Sequence, residues 1–422
     1  MKTWLRAHPF LLPWTTVLLL VIGVGAVGAY WVWSRGLVVT GLNDYVPWGL
    51  WITVDLSAIG LGAGAFLFSA AIYLLRQKAL QPLARVAVLV GVLGYTSAAL
   101  ALLLDLGRPE RFWHPLVFWN THSVLWEITM CVVLYTGVLF LEFAPVVGHA
   151  AWLENRLPFL ARLLQRGHLL SPVLAVAGLA LSLLHQSSLG ATYAVLPFRP
   201  LWGNPGTAVQ FLSHAVAAGP ALTILATLAA GRALRREVVP HSTLLRLGRF
   251  VGIAIVIYLY VRLWDMFAMS YTHVPGRAEG LALVTAGPLA LSFWVGEIVI
   301  GALLPALLLL TPRLRERTWA LFLACAGAVF GLIMARWDVN LSTQLLRVGW
   351  IPGQPVGPLA AYRPTWVEWV TTLAIVAYGL LGFTWSLHLF PVFALSGDDE
   401  RRAMPRRAAA GTIEQRPFAE TS

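Results

Sequence analysis

The chain has 422 residues, of which 58% are hydrophobic and 12% charged, with a formal net charge of +11. Soluble domains carry roughly 25% charged residues, so this composition excludes a water-soluble fold. The excess of Lys and Arg reads as the basic loops of a membrane protein rather than as a nucleic-acid surface. The cysteines, Cys131 and Cys325, lie singly in apolar stretches. They do not supply the four ligands that an iron–sulfur cluster takes and read as packing residues.

Ten apolar stretches of the length a membrane-crossing helix needs are predicted at 11–33, 47–75, 84–104, 122–147, 168–189, 207–231, 247–272, 282–311, 318–338 and 366–393. The expected fold is an all-α integral membrane bundle of about ten transmembrane helices. The first stretch is too long for a signal-peptide core and has no clean cleavage site. The connecting loops are too short for a second domain, so one membrane domain is expected over 1–395. A polar tail, 396–422, is expected to be disordered on the cytoplasmic side. Alternate loops carry unequal basic charge, 21 Lys and Arg on the side of the termini against 8 on the other, with Arg262 inside a span. The positive-inside rule then puts both termini in the cytoplasm.

The opposite, outer loops hold the unusual sequence: Asn43 to Gly49, Arg108 to His114, Asn120 to His122, and the proline-bearing segment 339–365. The tryptophans near span ends, Trp48, Trp51, Trp113, Trp119, Trp126, Trp202, Trp350, Trp366 and Trp369, suit a headgroup-level belt. In the second span, Pro47 stands at the expected helix start, where its missing N–H costs nothing. Gly60 and Gly64 match small-xxx-small helix packing. Asp55 lies two turns into the membrane, where an unpaired carboxylate must be neutral or bridged; it reads as a proton carrier or a hydrogen-bond partner of a cofactor.

The fourth span opens on His122, which at four-residue spacing shares a helix face with Trp126. Glu127 lies just beyond, and Glu142 lies near the inner end, where snorkelling to water is easy. For both His122 and Glu142 an interfacial role stands beside a functional one. His185 ends the fifth span. Arg262 and Asp265, three apart, can pair on one helix, and that pair can be structural. Glu297 sits in mid-bilayer. Intramembrane charges are functional-site hypotheses by default. His122, His185, His214 and His388 are the candidate haem ligands, but no helix carries two histidines spaced for stacked haems, and no convincing axial pair forms across the bundle. No haem and no metal site is expected.

Several runs are similar to a known family: Pro47-Trp48-Gly49-x-Trp51-Ile52-x-x-Asp55-Leu56, Asn120-x-x-Ser123-Val124-Leu125-x-Glu127, Leu141-Glu142-Phe143-Ala144-Pro145, His185-Gln186-Ser187-Ser188-x-Gly190 and Pro364-Thr365-Trp366-x-Glu368. They resemble, in order across residues 40–390, the ten-span membrane subunit of hydrogenase-2-type nickel–iron hydrogenases, within the NrfD/polysulfide-reductase membrane-subunit superfamily. The resemblance implies a haem-free subunit reacting with menaquinone or ubiquinone in the bacterial inner membrane. The implied partners are an outer-face, ferredoxin-like iron–sulfur protein and, beyond it, small and large hydrogenase subunits. Asp55, Glu127, Glu142, His185, Arg262 and Glu297 match family positions, and Asp265 falls where relatives carry Glu. Polysulfide-reductase-type members bind quinone through Asn, His and Tyr near the start of the corresponding helix. Asn43 matches the Asn, whereas Pro47 stands where they carry His.

The resulting expectation is electron transfer from the iron–sulfur partner to quinone, with head-group contacts drawn from Asn43, Trp48, Asp55, His122 and His185. Protons move by Glu127, Glu142, Asp265, Glu297 and Arg262. Two alternatives stay open: the same module under a molybdopterin reductase or quinol-oxidising head, and an ion- or proton-coupled transporter, for which buried acids serve as well. Transporters usually show inverted repeats, and the halves of this chain show no convincing self-similarity.

Overall fold

In lipid the backbone must satisfy its own hydrogen bonds, so an apolar chain of this kind crosses as helices. The computed structural model describes residues 10–351 and 354–393; the predicted tail at 396–422 lies outside the described residues. Ten helices there are long and apolar enough to span a membrane. They are α1 (Leu11–Arg35), α2 (Leu50–Leu74), α3 (Gln81–Asp105), α4 (Val124–Gly148), α5 (Ser171–Ala194), α6 (Gly206–Leu234), α7 (His241–Tyr271), α8 (Leu291–Leu310), α9 (Thr318–Ser342) and α10 (Trp366–Leu389). The protein is a multi-pass integral membrane bundle, as its apolar stretches predict. Segments 36–49, 106–123, 195–205, 272–290 and 343–365 share one end of it, here the long-loop face. The turns rich in arginine form the opposite, basic face.

The helices form two rings of four. In the first, α2, α3, α4 and α5 each pack against the next and α5 closes onto α2; in the second, α6, α7, α8 and α9 do the same. Both rings are entered from the long-loop face, so their corresponding helices cross in the same direction. They meet along α2, which packs on α6 and α9, while α1 and α10 pair at the flank. Glycine permits this meeting: a Cβ at Gly64 would lie 2.0 Å from the Ala215 carbonyl oxygen, and one at Gly219 2.2 Å from the Ala65 nitrogen. Gly60, one turn from Gly64, faces Leu332 of α9 instead. The predicted small-residue stripe is a packing feature shared between two partners.

Several helix starts differ from expectation: α7 begins at His241 rather than 247, and α8 at Leu291 rather than 282, because Gly287 and Pro288 break the run before it. Pro47 is not at a helix start, because α2 begins at Leu50 with Gly49 as its cap. His122 precedes Ser123, whose hydroxyl caps α4 by accepting from the Trp126 N–H, so His122 does not share a helix face with Trp126. A serine side chain that satisfies an orphan N–H wins the cap position. The belt reading fails for Trp51 and Trp202, which are buried; Trp51 donates to Thr371 Oγ1 at 2.8 Å and Trp202 to the Val339 carbonyl at 2.6 Å. Each indole N–H finds an interior acceptor, which removes its reason to seek the headgroups.

The long-loop face is tied together by side chains. Glu368 caps α10 and accepts from the N–H groups of Thr365 (2.9 Å) and Gly41 (2.7 Å) and from the Tyr362 hydroxyl, which itself accepts from the Leu50 N–H at 2.7 Å. Burial, and then the Glu368 carboxylate, push the Tyr362 phenol above the ordinary tyrosine range. Strands β1 (Val348–Ile351) and β2 (Gln354–Val356) form a short antiparallel hairpin in the same face.

Candidate functional site

Inside the first ring a line of polar groups descends from the long-loop face. Counted from the helix ends at 1.5 Å per residue, Glu127 lies about 5 Å in, Asp55 about 8 Å, His185 and Tyr95 about 14 Å, and Tyr135 and Ser182 about 17 Å. Glu127 Oε1 accepts from the Ser188 hydroxyl at 2.7 Å. The Tyr95 hydroxyl and His185 Nδ1 are 2.9 Å apart, and the Tyr135 hydroxyl and Ser182 Oγ 2.5 Å. The two tyrosine rings meet edge to face at 4.4 Å, which links the pairs. Three buried atoms on the facing helices α2 and α5 have no hydrogen-bond partner: Asp55 Oδ1, His185 Nε2 and Gln186 Oε1. Gln186 Nε2 donates to the Ile59 carbonyl at 3.3 Å, one turn below Asp55. Buried polar atoms are ordinarily paired, so this set is equipped to receive a polar group or water.

The second ring is built around Arg262. Its Nε donates to Glu297 Oε1 at 2.8 Å, its Nη2 to Glu297 Oε2 at 3.4 Å, and its Nη1 to Asp265 Oδ2 at 3.0 Å and Gln210 Oε1 at 3.3 Å. The Tyr258 hydroxyl donates to Glu297 at 2.5 Å, and Asn204 Nδ2 to Asp265. His214 stacks on Tyr258 with ring centres 3.8 Å apart. Glu297 belongs to a wide stretch of α8, Leu291–Leu303, whose hydrogen bonds run i→i+5. That winding puts residues four to five apart on one side, so Phe293 and Glu297 both meet Arg262, whose guanidinium carbon lies 5.1 Å from the Phe293 ring centre. Such π-wound turns are rare and frequent at functional sites. The predicted Arg262–Asp265 contact is there, and Glu297 joins it from another helix.

Sequence reasoning misses a third group, at the seam between the rings. Ending the ninth span at residue 338 and counting Arg336 as a loop residue hides it: α9 runs on to Ser342, and Arg336, Asn340 and Gln344 are all buried. Arg336 and Asn340, four apart, share a helix face, Gln344 follows in the turn after α9, and a polar residue every fourth position closing an apolar run is the signal that reveals them. Moving Arg336 into the bundle leaves one fewer basic residue in the outer loops. Asn340 Nδ2 donates to the carbonyls of Trp48 (3.1 Å) and Gly49 (3.0 Å), the acceptors left over where α2 begins. Gln344 brackets Trp48, accepting from its N–H at 3.0 Å and donating to its carbonyl at 2.8 Å. Arg336 Nη2 donates to the Phe211 carbonyl at 3.1 Å, and its guanidinium lies 3.5 Å from the Phe211 ring centre. Among the described residues no carboxylate is in ion-pair distance of Arg336, and its Nε is unpartnered. Trp48 stacks on Trp202 at 5.5 Å, and Tyr193 stands edge-on to both.

Of the residues singled out from sequence, the structure thus gathers Trp48, Asp55, Glu127 and His185 around the first ring and its seam, and Arg262, Asp265 and Glu297 in the second. Asn43 is exposed and occupied by its own loop: Oδ1 accepts from the Tyr45 and Val46 N–H groups, and Nδ2 donates to the Ala361 carbonyl. His122 is exposed. Glu142 is half-buried about 27 Å along α4, at the basic end, with Oε2 unpartnered. Fifteen residues separate it from Glu127, about 22 Å along the helix. Ionisable side chains inside the rings therefore crowd the half of the bundle next to the long loops, with Glu142 apart. Among the described residues no group of three or more His, Cys, Asp or Glu is placed to hold a metal ion.

Residues 38–347 match the family described as Polysulphide reductase, NrfD. Among relatives, the chain is 32% identical to the menaquinone reductase integral membrane subunit of Nitratidesulfovibrio vulgaris, over 92% of this chain and 93% of that one. It is 25% identical to a subunit of the selenate reductase of Mesobacillus selenatarsenatis, over 90% and 93%. It is 27% identical to the probable Ni/Fe-hydrogenase 2 b-type cytochrome subunit of Escherichia coli, over 86% and 88%. With most of its length matched and its ten helices in place, this chain belongs to the polysulphide reductase/NrfD family of multi-pass membrane proteins.

Proposed function

We propose that the protein is the quinone-reactive membrane subunit of a respiratory oxidoreductase in the bacterial inner membrane. Its long-loop face is periplasmic and both termini are cytoplasmic. An iron–sulfur partner docks on the long-loop face and delivers electrons there. The observation that carries this reading is the set of unpartnered buried atoms on α2 and α5, Asp55 Oδ1, His185 Nε2 and Gln186 Oε1, within a short distance of that face. A quinone takes up two electrons and two protons, and its carbonyl oxygens accept hydrogen bonds of the kind that His185 Nε2–H or a protonated Asp55 donates. Trp48 and Tyr193 offer aromatic surface above these groups. Glu127, through Ser188, is a carboxyl close to that face from which protons can be passed inward.

The acids of the second ring are read as a charge-balanced reservoir around Arg262, and Glu142 as the entry point from the cytoplasmic side, joined to the upper groups through water. Asn43 acts through the shape of the loop that leads to Trp48, and His122 is kept as an outer-edge contact. We read the subunit as haem-free: His185 Nδ1 is held by Tyr95, His214 is stacked on Tyr258, and the two belong to different rings. The finer proposal, from the sequence motifs, is a nickel–iron hydrogenase as the catalytic head. Relatives that carry the names of a menaquinone reductase and a selenate reductase supply the competing heads, and the metal content of the co-purified partner distinguishes them.

Asp55→Asn tests the quinone site in the purified complex. The amide keeps size and hydrogen bonding but carries no titratable proton. Loss of an acid–base group costs roughly 100-fold or more in rate, so quinone turnover falls by that amount while the partner still exchanges electrons with a soluble dye. Full retention of quinone turnover removes Asp55 from the mechanism, and equal loss of both activities marks an assembly defect.

A further inference from the structure

A feature independent of the quinone reading lies at the opposite end of the bundle. The flanking pair α1 and α10 stands off from α6 at the basic face and leaves a groove of about 650 Å³. Trp14 and Val17 of α1 and Phe383 and Leu387 of α10 form apolar walls, and Arg232 and Arg235 of α6 line its mouth; among the described residues no acidic residue lines it. Trp14 Nε1 donates to Thr384 Oγ1 at 3.2 Å, which holds the two walls together. Glu237, on the far side of Arg232, is engaged by the His241 N–H at 2.8 Å and caps the next helix.

Arg235 has a second peculiarity. It closes α6 in the left-handed conformation, φ 52° and ψ 35°, where glycine is the usual residue because it has no Cβ to clash. A strained, exposed arginine kept at a glycine position points to use of its side chain. A gap at membrane depth is filled by hydrocarbon, and a pair of guanidinium groups at the rim matches a phosphodiester anion. We propose that this groove binds an anionic phospholipid of the basic-face leaflet. Its acyl chains lie between α1, α10 and α6, and its phosphate is held by Arg232 and Arg235.

The test uses the full chain, delipidated in a neutral detergent and then given phosphatidylglycerol, phosphatidylcholine of the same acyl chains, or inorganic phosphate, with retention read by native mass spectrometry. Phosphatidylglycerol is retained in preference, and inorganic phosphate does not displace it because the acyl chains hold it. Two arginines near a membrane surface give roughly a 30-fold preference, and R232Q/R235Q abolishes it. R235G separates fold from ligand: the glycine relieves the backbone, so the delipidated protein melts at a higher temperature, while the lipid preference falls. An Arg235 with no part in lipid binding would raise the melting temperature when changed to glycine and leave the lipid preference unchanged, and that result overturns the proposal. Equal retention of phosphatidylcholine, or an undiminished preference in R232Q/R235Q, overturns it as well. So does stronger phosphatidylglycerol binding in D398N/D399N/E400Q, which would assign the groove to the acidic segment of the chain itself.

Discussion

Charge balance in the second ring predicts an order of mutational effects. Arg262 faces two carboxylates, Glu297 and Asp265, so removing one acid leaves a paired cation, whereas removing the arginine leaves two buried acids without their ion-pair partner. Glu297→Gln keeps an acceptor for the Tyr258 hydroxyl at 2.5 Å and for Arg262 Nε at 2.8 Å; its amide nitrogen takes the place of Oε2, whose contact with Arg262 is already long at 3.4 Å. Two charge-assisted hydrogen bonds become neutral ones, a loss of about 1 kcal/mol each. Arg262→Gln breaks a buried ion pair from the side that orphans its partners, worth about 3–5 kcal/mol. In R262Q/E297Q one of the orphaned acids is gone, so the double variant is more stable than R262Q alone, which requires a coupling larger than the cost of E297Q, about 2–3 kcal/mol and opposite in sign to the two single losses. Helices unfolded in a micelle find other partners, and interhelical hydrogen bonds measured in membranes average about 0.6 kcal/mol. The ordering is therefore the firmer part of the prediction. Equilibrium unfolding of the purified variants in mixed micelles reads it. If R262Q and E297Q cost the same and the double variant shows their sum, Arg262 does not balance the two acids and the description of this ring is wrong.

Glu127→Gln removes the titratable group held by Ser188. It leaves assembly intact and lowers quinone turnover roughly 100-fold, with the soluble-dye reaction of the partner unchanged; unaltered quinone turnover refutes a role for Glu127. Gly64→Val forces a side chain into the Ala215 carbonyl, 2.0 Å from the Cβ position. Overpacking costs about 1–3 kcal/mol, so the two rings separate at lower denaturant, and wild-type stability in this variant contradicts the close crossing of α2 and α6. A reporter fused at the C-terminus is active only in the cytoplasm and one inserted in the 343–365 loop only in the periplasm; a periplasmic C-terminus reverses the proposed orientation. The purified subunit shows no Soret band, and stoichiometric haem b would reopen His185 and His214 as ligands.

The sequence by itself determined the number of crossings, most of their boundaries to within several residues, with the start of α8 nine residues off, and the residues too charged to be lipid-facing. Twenty apolar residues in a row have one low-energy environment, and an Asp, Glu or Arg among them needs a partner. It also carried the family, through runs such as Pro47 to Leu56 and His185 to Gly190. Partnership is what only the tertiary structure decided. Arg262 and Glu297 are 35 positions apart, Trp48 and Gln344 nearly 300, and Glu127 meets Ser188 rather than His122. No periodicity along one helix encodes which face of a second helix it meets, and all-apolar helices carry little amphipathic pattern to set their rotation. The stripe Arg336, Asn340 and Gln344 was legible as spacing, but its location at the seam depended on α9 running past residue 338, where polar residues look like the start of a loop. Arg336 and Asn340 remain helical, with Gln344 in the turn that follows, because the carbonyls of Trp48 and Gly49, and the backbone of Phe211, wait across the seam to pair with them.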